Sequence, residues 1–243
     1  MGAFRLAVSF LTIIPVPQKR KSTKVDLAEA MIYFPLVGLL IGGASLLVYE
    51  LVRPHLPHSL AVFVLFVVPI VLTGGIHMDG FADFCDGFFS GRPQADTLRI
   101  MKDPRLGAWG VLGLILLVVV KYELLKVIAV PAPYLMMAMI ASRWSQVALA
   151  YALPYAGQTG GLGEAVAGRI GFRQLLGATG LSLLFFPLSD YMGTVLVLPL
   201  LIFMLMLGLI FRRKIGGLTG DLLGATSEMV EVFILFGAVL FSL

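Results

Sequence analysis

Tyr191-Met192-Gly193-Thr194-Val195-Leu196-Val197-Leu198-Pro199-Leu200-Leu201-Ile202-Phe203-Met204-Leu205-Met206-Leu207-Gly208-Leu209-Ile210-Phe211 is a run of 21 residues without a charge, closed by Arg212-Arg213-Lys214. Coiled as a helix, such a run rises about 30 Å, the thickness of a bilayer's hydrocarbon core. The basic triplet then stands where a span leaves the lipid. Composition extends this reading to the whole chain: of 243 residues, 59% are hydrophobic and 13% charged. A soluble domain carries about 25% charged residues, so the chain is expected to fold in lipid. The 27 Gly and 13 Pro follow no collagen period. The single cysteine, Cys85, excludes an intrachain disulfide and a zinc site built from several thiolates.

Six further apolar stretches accompany the first, at 27–51, 60–76, 108–128, 134–151, 174–188 and 229–243. The expected fold is therefore all-α: a polytopic membrane bundle of about seven transmembrane helices, forming one domain over residues 1–243. Residues 1–14 are too short to span and lack a signal peptide's basic start and small-residue cleavage site. They are predicted as an interfacial helix, with a re-entrant or bundle-packed segment as the alternative. Thr23 with Asp26 three residues on fits a capping box opening the first span.

With the N-terminal cluster Lys19, Arg20, Lys21 and Lys24 in the cytoplasm, threading seven spans puts fourteen of the 18 Lys and Arg on that side, among them Arg92, Arg99, Lys102 and Arg105. Topology thus accounts for the net charge of +4 without nucleic acid. Arg53, Lys121 and Lys126 fall on the opposite side, and Arg143 falls within a span. The opposite connections are short, so chemistry is expected in three cytoplasmic loops, at 77–107, 152–173 and 212–228.

The first loop opens Thr73-Gly74-Gly75-Ile76-His77-Met78-Asp79-Gly80-Phe81-Ala82-Asp83-Phe84-Cys85-Asp86-Gly87. Asp79, Asp83 and Asp86 are spaced i, i+4, i+7, so a helix sets three carboxylates on one face. Three anions so close call for a cation, and the flanking aromatics make the stretch too apolar for a merely wet acidic surface. Hard oxygen ligands beside a phosphate-bearing substrate suit Mg²⁺. His77 fits a ligand, an acid/base group or an interfacial hydrogen-bonder, and Cys85 fits simple packing. Downstream, Lys102 and Arg105 of Lys102-Asp103-Pro104-Arg105 are suited to a diphosphate, or else to plain anchoring at the cytoplasmic face.

The last loop holds Gly216-Gly217-Leu218-Thr219-Gly220-Asp221 and then Gly224, Glu228 and Glu231. The glycines allow a close helix approach or expose backbone N–H groups to phosphate, and acids at the entry to a span are usually functional. Arg143, in Ser142-Arg143-Trp144-Ser145-Gln146, must face the bundle and pair with an acid or a substrate phosphate, unless it snorkels to the interface. Residues 157–168, with four glycines, are expected as a flexible loop over the same face and a candidate lid. Walker A, HExxH and CxxC motifs are absent from the sequence.

These stretches, together with Met101-Lys102-Asp103-Pro104-Arg105-Leu106-Gly107-Ala108-Trp109-Gly110, Phe10-Leu11-Thr12-Ile13-Ile14-Pro15-Val16-Pro17 and Phe34-Pro35-Leu36-Val37-Gly38, resemble the cobalamin-5′-phosphate synthases, also called adenosylcobinamide-GDP ribazoletransferases. The likeness runs in order from residue 1 to the last helix. It implies a multi-pass enzyme of the bacterial inner membrane, with its active site facing the cytoplasm. Such an enzyme joins adenosylcobinamide-GDP to α-ribazole, or its 5′-phosphate, with release of GMP and Mg²⁺ as cofactor. On this footing Asp79, Asp83, Asp86 and Asp221 are expected to hold the metal, and Asp83 or His77 to take the ribazole hydroxyl proton. Lys102, Arg105, Arg143 and Glu228 are expected to bind substrate. The expected partners are those two substrates and the lipid bilayer, with a homo-oligomer left open. A CDP-alcohol phosphotransferase would use similar chemistry, but Asp79-Gly80 is followed by Phe81-Ala82-Asp83 rather than by that family's Ala-Arg pair. A transporter would place its charges nearer the bilayer midplane.

Overall fold

The computed structural model describes residues 2–17, 23–157, 167, 169–185 and 190–242. Over these the fold is all-α. A short helix, α1 (Gly2–Leu11), precedes α2 (Lys24–Ala30), which runs through one 3₁₀ turn at Met31–Tyr33 into α3 (Phe34–Val52). The expected capping box is present: Asp26 N–H donates to the Thr23 hydroxyl, and the Asp26 carboxylate accepts from Thr23 N–H. Then follow α4 (His58–Thr73), α5 (Ile76–Phe88), α6 (Gln94–Ile100), α7 (Ala108–Val127), α8 (Pro131–Ala152), α9 (Phe172–Phe185), α10 (Asp190–Ile215) and α11 (Gly220–Ser242).

Among the described residues, four stretches are long and apolar enough to cross a membrane: Val25–Val52, Ala108–Val127, Thr194–Ile215 and Gly220–Leu240. Large apolar side chains stand exposed along α7 (Ile115, Leu116, Val119) and α10 (Leu198, Ile202, Leu205). Such continuous stripes on long apolar helices suit a lipid surrounding rather than water. The chain is thus a polytopic membrane bundle, but the expected count of seven spans is not reached by length and hydropathy. The reasons are local. The expected span at 60–76 stops at Thr73, where Gly74 and Gly75 adopt left-handed φ values of 62° and 70°, and α5 leaves at 88° to α4. Counted as one broken span, this pair is a fifth. At 14 residues α9 rises only about 21 Å. Although α8 has 22 residues, Ser142, Arg143, Ser145 and Gln146 are buried along it, which lowers its hydropathy and marks it as a central element. The last helix starts at Gly220 rather than 229, so it carries Asp221, Glu228 and Glu231 into the bundle.

Packing centres on α8 and α11: α3 and α11 both pack on α8, and α5 packs on α11. The N-terminal helix α1 docks on the bundle through Leu6, Ala7 and Leu11, and the chain just after it is tied down by Ile13 N–H donating to Leu72 C=O at 2.8 Å. One face of α1 thus packs on the bundle, while its other face, with Arg5, is exposed, as an interfacial helix requires.

Candidate active site

The three expected loops converge at one end of the bundle. Lys214 Nζ donates to Arg92 C=O at 2.9 Å and Gln94 Nε2 to Ile215 C=O at 2.8 Å, which ties the first loop to the third. The second joins through backbone bonds: Ala156 N–H donates to Leu218 C=O at 3.0 Å and Leu218 N–H to Pro154 C=O at 2.9 Å. The expected lid lies mostly outside the described residues.

The α5–α11 contact sets the site. At Gly80 a Cβ would stand 2.6 Å from the Asp221 carbonyl oxygen, and at Gly224 one would stand 3.2 Å from His77 Cα. Only glycine lets the two backbones meet there. This approach brings the start of α5 and the start of α11 onto one cavity of about 340 Å³. It is lined by His77, Asp79, Lys102, Gln146 and Asp221, with Phe10, Phe34 and Tyr155 among the other walls. Two carboxylates, one ammonium and a buried imidazole thus share one concave space. Lys102 Nζ is 3.8 Å from Asp221 Oδ2, both side chains partly exposed. Asp83 is half-buried one turn beyond Asp79, within electrostatic reach of Asp79, Asp86, Asp221 and Lys102. His77 is buried, with its Nε2 3.1 Å from Gln146 Nε2.

Other expected site residues are placed elsewhere. Asp86 accepts from the Gly107 N–H through Oδ2 and the Gly110 N–H through Oδ1, each at 2.8 Å. It caps the first turn of α7, because free N–H groups at a helix start attract a carboxylate. Arg105 is 87% exposed and turns back to Asp103, with Nε and Nη2 bonds of 2.9 and 2.7 Å, and so does not line the cavity. Those bonds hold the Asp103 carboxyl down at about 2, leaving the pair intact through the neutral range.

Arg143 and Glu228 belong to a buried ionic cluster rather than to the cavity wall. Arg143 Nη1 pairs with Glu231 and donates to Ser142 Oγ at 2.7 Å, while Lys121 Nζ pairs with Glu228 at 2.8 Å and also with Glu231. Two cations and two anions cancel there. Glu228 and Glu231 lie seven and ten residues into α11 from Asp221, about 10 and 15 Å deeper along the helix. The expectation that Arg143 faces an acid is met by Glu231, while Lys121, expected on the far side, is in the core. Its signal was available: an ammonium inside the apolar run 108–128 is subject to the same rule as Arg143. Gln146 and Tyr155 also line the cavity, although a neutral Gln and a Tyr carry no mark of it in the sequence.

Among the described residues no group of three or more His, Cys, Asp or Glu is disposed to hold a metal ion. The hard donors facing the cavity are the two carboxylates of Asp79 and Asp221.

Residues 3–239 match the family described as Cobalamin-5-phosphate synthase. The chain is similar to proteins named adenosylcobinamide-GDP ribazoletransferase from three bacteria. It is 37% identical to that of Desulfitobacterium hafniense over 96% of this chain and 94% of the relative. For the Chlorobaculum parvum protein the identity is 38%, over 96% and 93%, and for that of Escherichia coli K12 it is 36%, over 96% and 97%. No solved structure matches it.

Proposed function

Because this chain belongs to the cobalamin-5-phosphate synthase family, we propose that it is a membrane adenosylcobinamide-GDP ribazoletransferase. Its reaction joins adenosylcobinamide-GDP to α-ribazole or α-ribazole 5′-phosphate, giving adenosylcobalamin or its 5′-phosphate and GMP. One juxtaposition carries the reading: Asp79, Asp221, Lys102 and His77, drawn from three separate parts of the chain, line one cavity at one end of the bundle.

The chemistry is displacement at phosphorus. The ribazole hydroxyl oxygen forms a bond to the cobinamide-linked phosphorus, the bond from that phosphorus to the bridging oxygen breaks, and GMP leaves with that oxygen. A cavity of about 340 Å³ takes a diphosphate and a ribose, and the larger corrin ring stays outside it. Lys102 is placed to orient phosphate oxygens, because its Nζ stands at the cavity wall and, among the described residues, is held only by a 3.8 Å contact with Asp221. The hydroxyl's proton passes to a carboxylate, Asp83 first, or to His77.

Mg²⁺ fits the donor set. It is typically bound by one or two carboxylates and completes its shell with water and phosphate, so Asp79 and Asp221, with Asp83 alongside, suffice to hold it. Bound there, it would neutralise charge on the diphosphate. Asp86, Arg105, Arg143 and Glu228 are left out of this set by their positions. We further place the cavity on the cytoplasmic side of the bacterial inner membrane, since Arg92, Arg99, Lys102, Arg105 and Lys214 gather at that end.

The test is to incubate membranes containing the protein with adenosylcobinamide-GDP and α-ribazole, with and without Mg²⁺, and to measure GMP and the corrinoid product. Metal-dependent formation of both in equal amounts is expected. Absence of GMP from correctly inserted protein, while a relative works in parallel, would overturn the assignment.

A further inference from the structure

Gln146 on α8 is 3% exposed and lines the cavity, yet its Oε1 has no hydrogen-bond partner among the described residues. Its Nε2 is doubly engaged, 3.3 Å from the Leu223 carbonyl oxygen and 3.1 Å from His77 Nε2. A backbone carbonyl only accepts, so the atom facing Leu223 must be the NH₂ group, which fixes the orientation of the amide. The same NH₂ then meets His77 Nε2, which must be the accepting nitrogen. The proton of the neutral ring is therefore on Nδ1, and the Nε2 lone pair is already occupied.

We propose that Gln146 is a positioning residue that holds His77 as a hydrogen-bond donor, and that the two together recognise two oxygens of a sugar in the cavity. A hydroxyl both gives and takes a hydrogen bond. Gln146 Oε1 accepts from one sugar hydroxyl, while the His77 Nδ1–H, which points away from Gln146 across the ring, donates to a second sugar oxygen, and both residues line the same space. Proton removal from the attacking hydroxyl then falls to a carboxylate rather than to the imidazole. This inference deepens the ribazoletransferase reading and rests on it for the identity of the sugar, whereas the state of the ring can be read without any turnover.

The protein contains three histidines, so ¹⁵N-histidine labelling gives few ring signals, and the His77 signals are those lost in His77→Gln. In the detergent-solubilised full chain, the unprotonated nitrogen of His77 is expected to be Nε2. In Gln146→Glu, whose carboxylate can only accept, the proton is expected to move to Nε2. A wild-type ring with its proton on Nε2 overturns the proposal.

The kinetic arm uses GMP release. Gln146→Leu is expected to lower kcat/KM for α-ribazole by about 30-fold or more at unchanged thermal midpoint, with KM for adenosylcobinamide-GDP moving less than threefold. His77→Gln keeps an N–H donor but no base, and is expected to turn over at least about tenfold faster than His77→Ala. Equal loss in the two His77 variants would make the imidazole a base and overturn the donor assignment. A wild-type protein that releases no GMP would instead sink the ribazoletransferase reading and leave the ring assignment to the spectra.

Discussion

Asp79 and Asp86 stand two turns apart on one helix, and the spacing that puts them on one face says nothing about what faces them. Asp79 borders the cavity, whereas Asp86 is taken up by two backbone N–H groups of α7. Their variants should therefore differ. Asp79→Asn and Asp221→Asn are each expected to lower turnover on the order of 10²-fold or more and to raise the Mg²⁺ concentration needed for half activity. Asp86→Ala should instead cost about 0.5–2 kcal/mol of stability through the lost cap, with the Mg²⁺ requirement unchanged. Thermal unfolding in detergent and a metal titration of GMP release separate the two cases. If Asp86→Ala shifts the metal titration as Asp79→Asn does, the capping role is insufficient. At Lys121 the expected effect is on stability: Lys121→Met leaves Glu228 and Glu231 buried against Arg143 alone and should cost about 3–5 kcal/mol. Lys121→Met with Glu228→Gln should recover much of that, and a double variant no more stable than the single one would contradict the pairing.

At the scale of elements, two helix ends build the site, and both depend on glycine. The 88° turn between α4 and α5 needs positive φ at Gly74 and Gly75, and a Cβ at Gly74 would also stand 2.8 Å from Ile13 Cγ2. The α5–α11 approach needs Gly80, where a Cβ would collide with backbone that has no rotamer to give. Gly80→Ala is therefore expected to reduce turnover at least about tenfold by prising Asp79 from Asp221, while Gly224→Ala, whose Cβ would stand 3.2 Å from the His77 backbone and needs a shift of only a few tenths of an ångström, does less harm. Parallel GMP assays rank the two variants, and the reverse ranking would mean that this contact does not set the cavity.

Across the whole molecule, charge and geometry divide the two ends of the bundle. The cavity end holds Lys102, Arg92 and Lys214, and the far end is closed by His58 Nε2, 3.0 Å from the Lys126 carbonyl oxygen. In a Cys85→Ser background, a single cysteine at exposed Arg92 should be labelled by a membrane-impermeant thiol reagent only in inside-out vesicles. One at exposed Arg53 should be labelled only in right-side-out cells. Labelling of both from one side would overturn the orientation.

The class of fold, the family and the three loops that meet at one end of the bundle are legible in the sequence. Hydropathy, charge asymmetry and short motifs are local, and a bilayer imposes its demands residue by residue. The sequence marks Asp79, Asp221, Lys102 and His77 as candidates without showing that they share a cavity. The tertiary structure decided the rest: that Asp86 caps α7, that Arg105 turns to Asp103, that Arg143, Lys121, Glu228 and Glu231 neutralise one another in the core, and that Gln146 meets His77. Each of these depends on partners tens of residues away or on the direction of a side chain. A charge must be neutralised and a buried polar group bonded, but sequence spacing does not name the partner until the helices have packed.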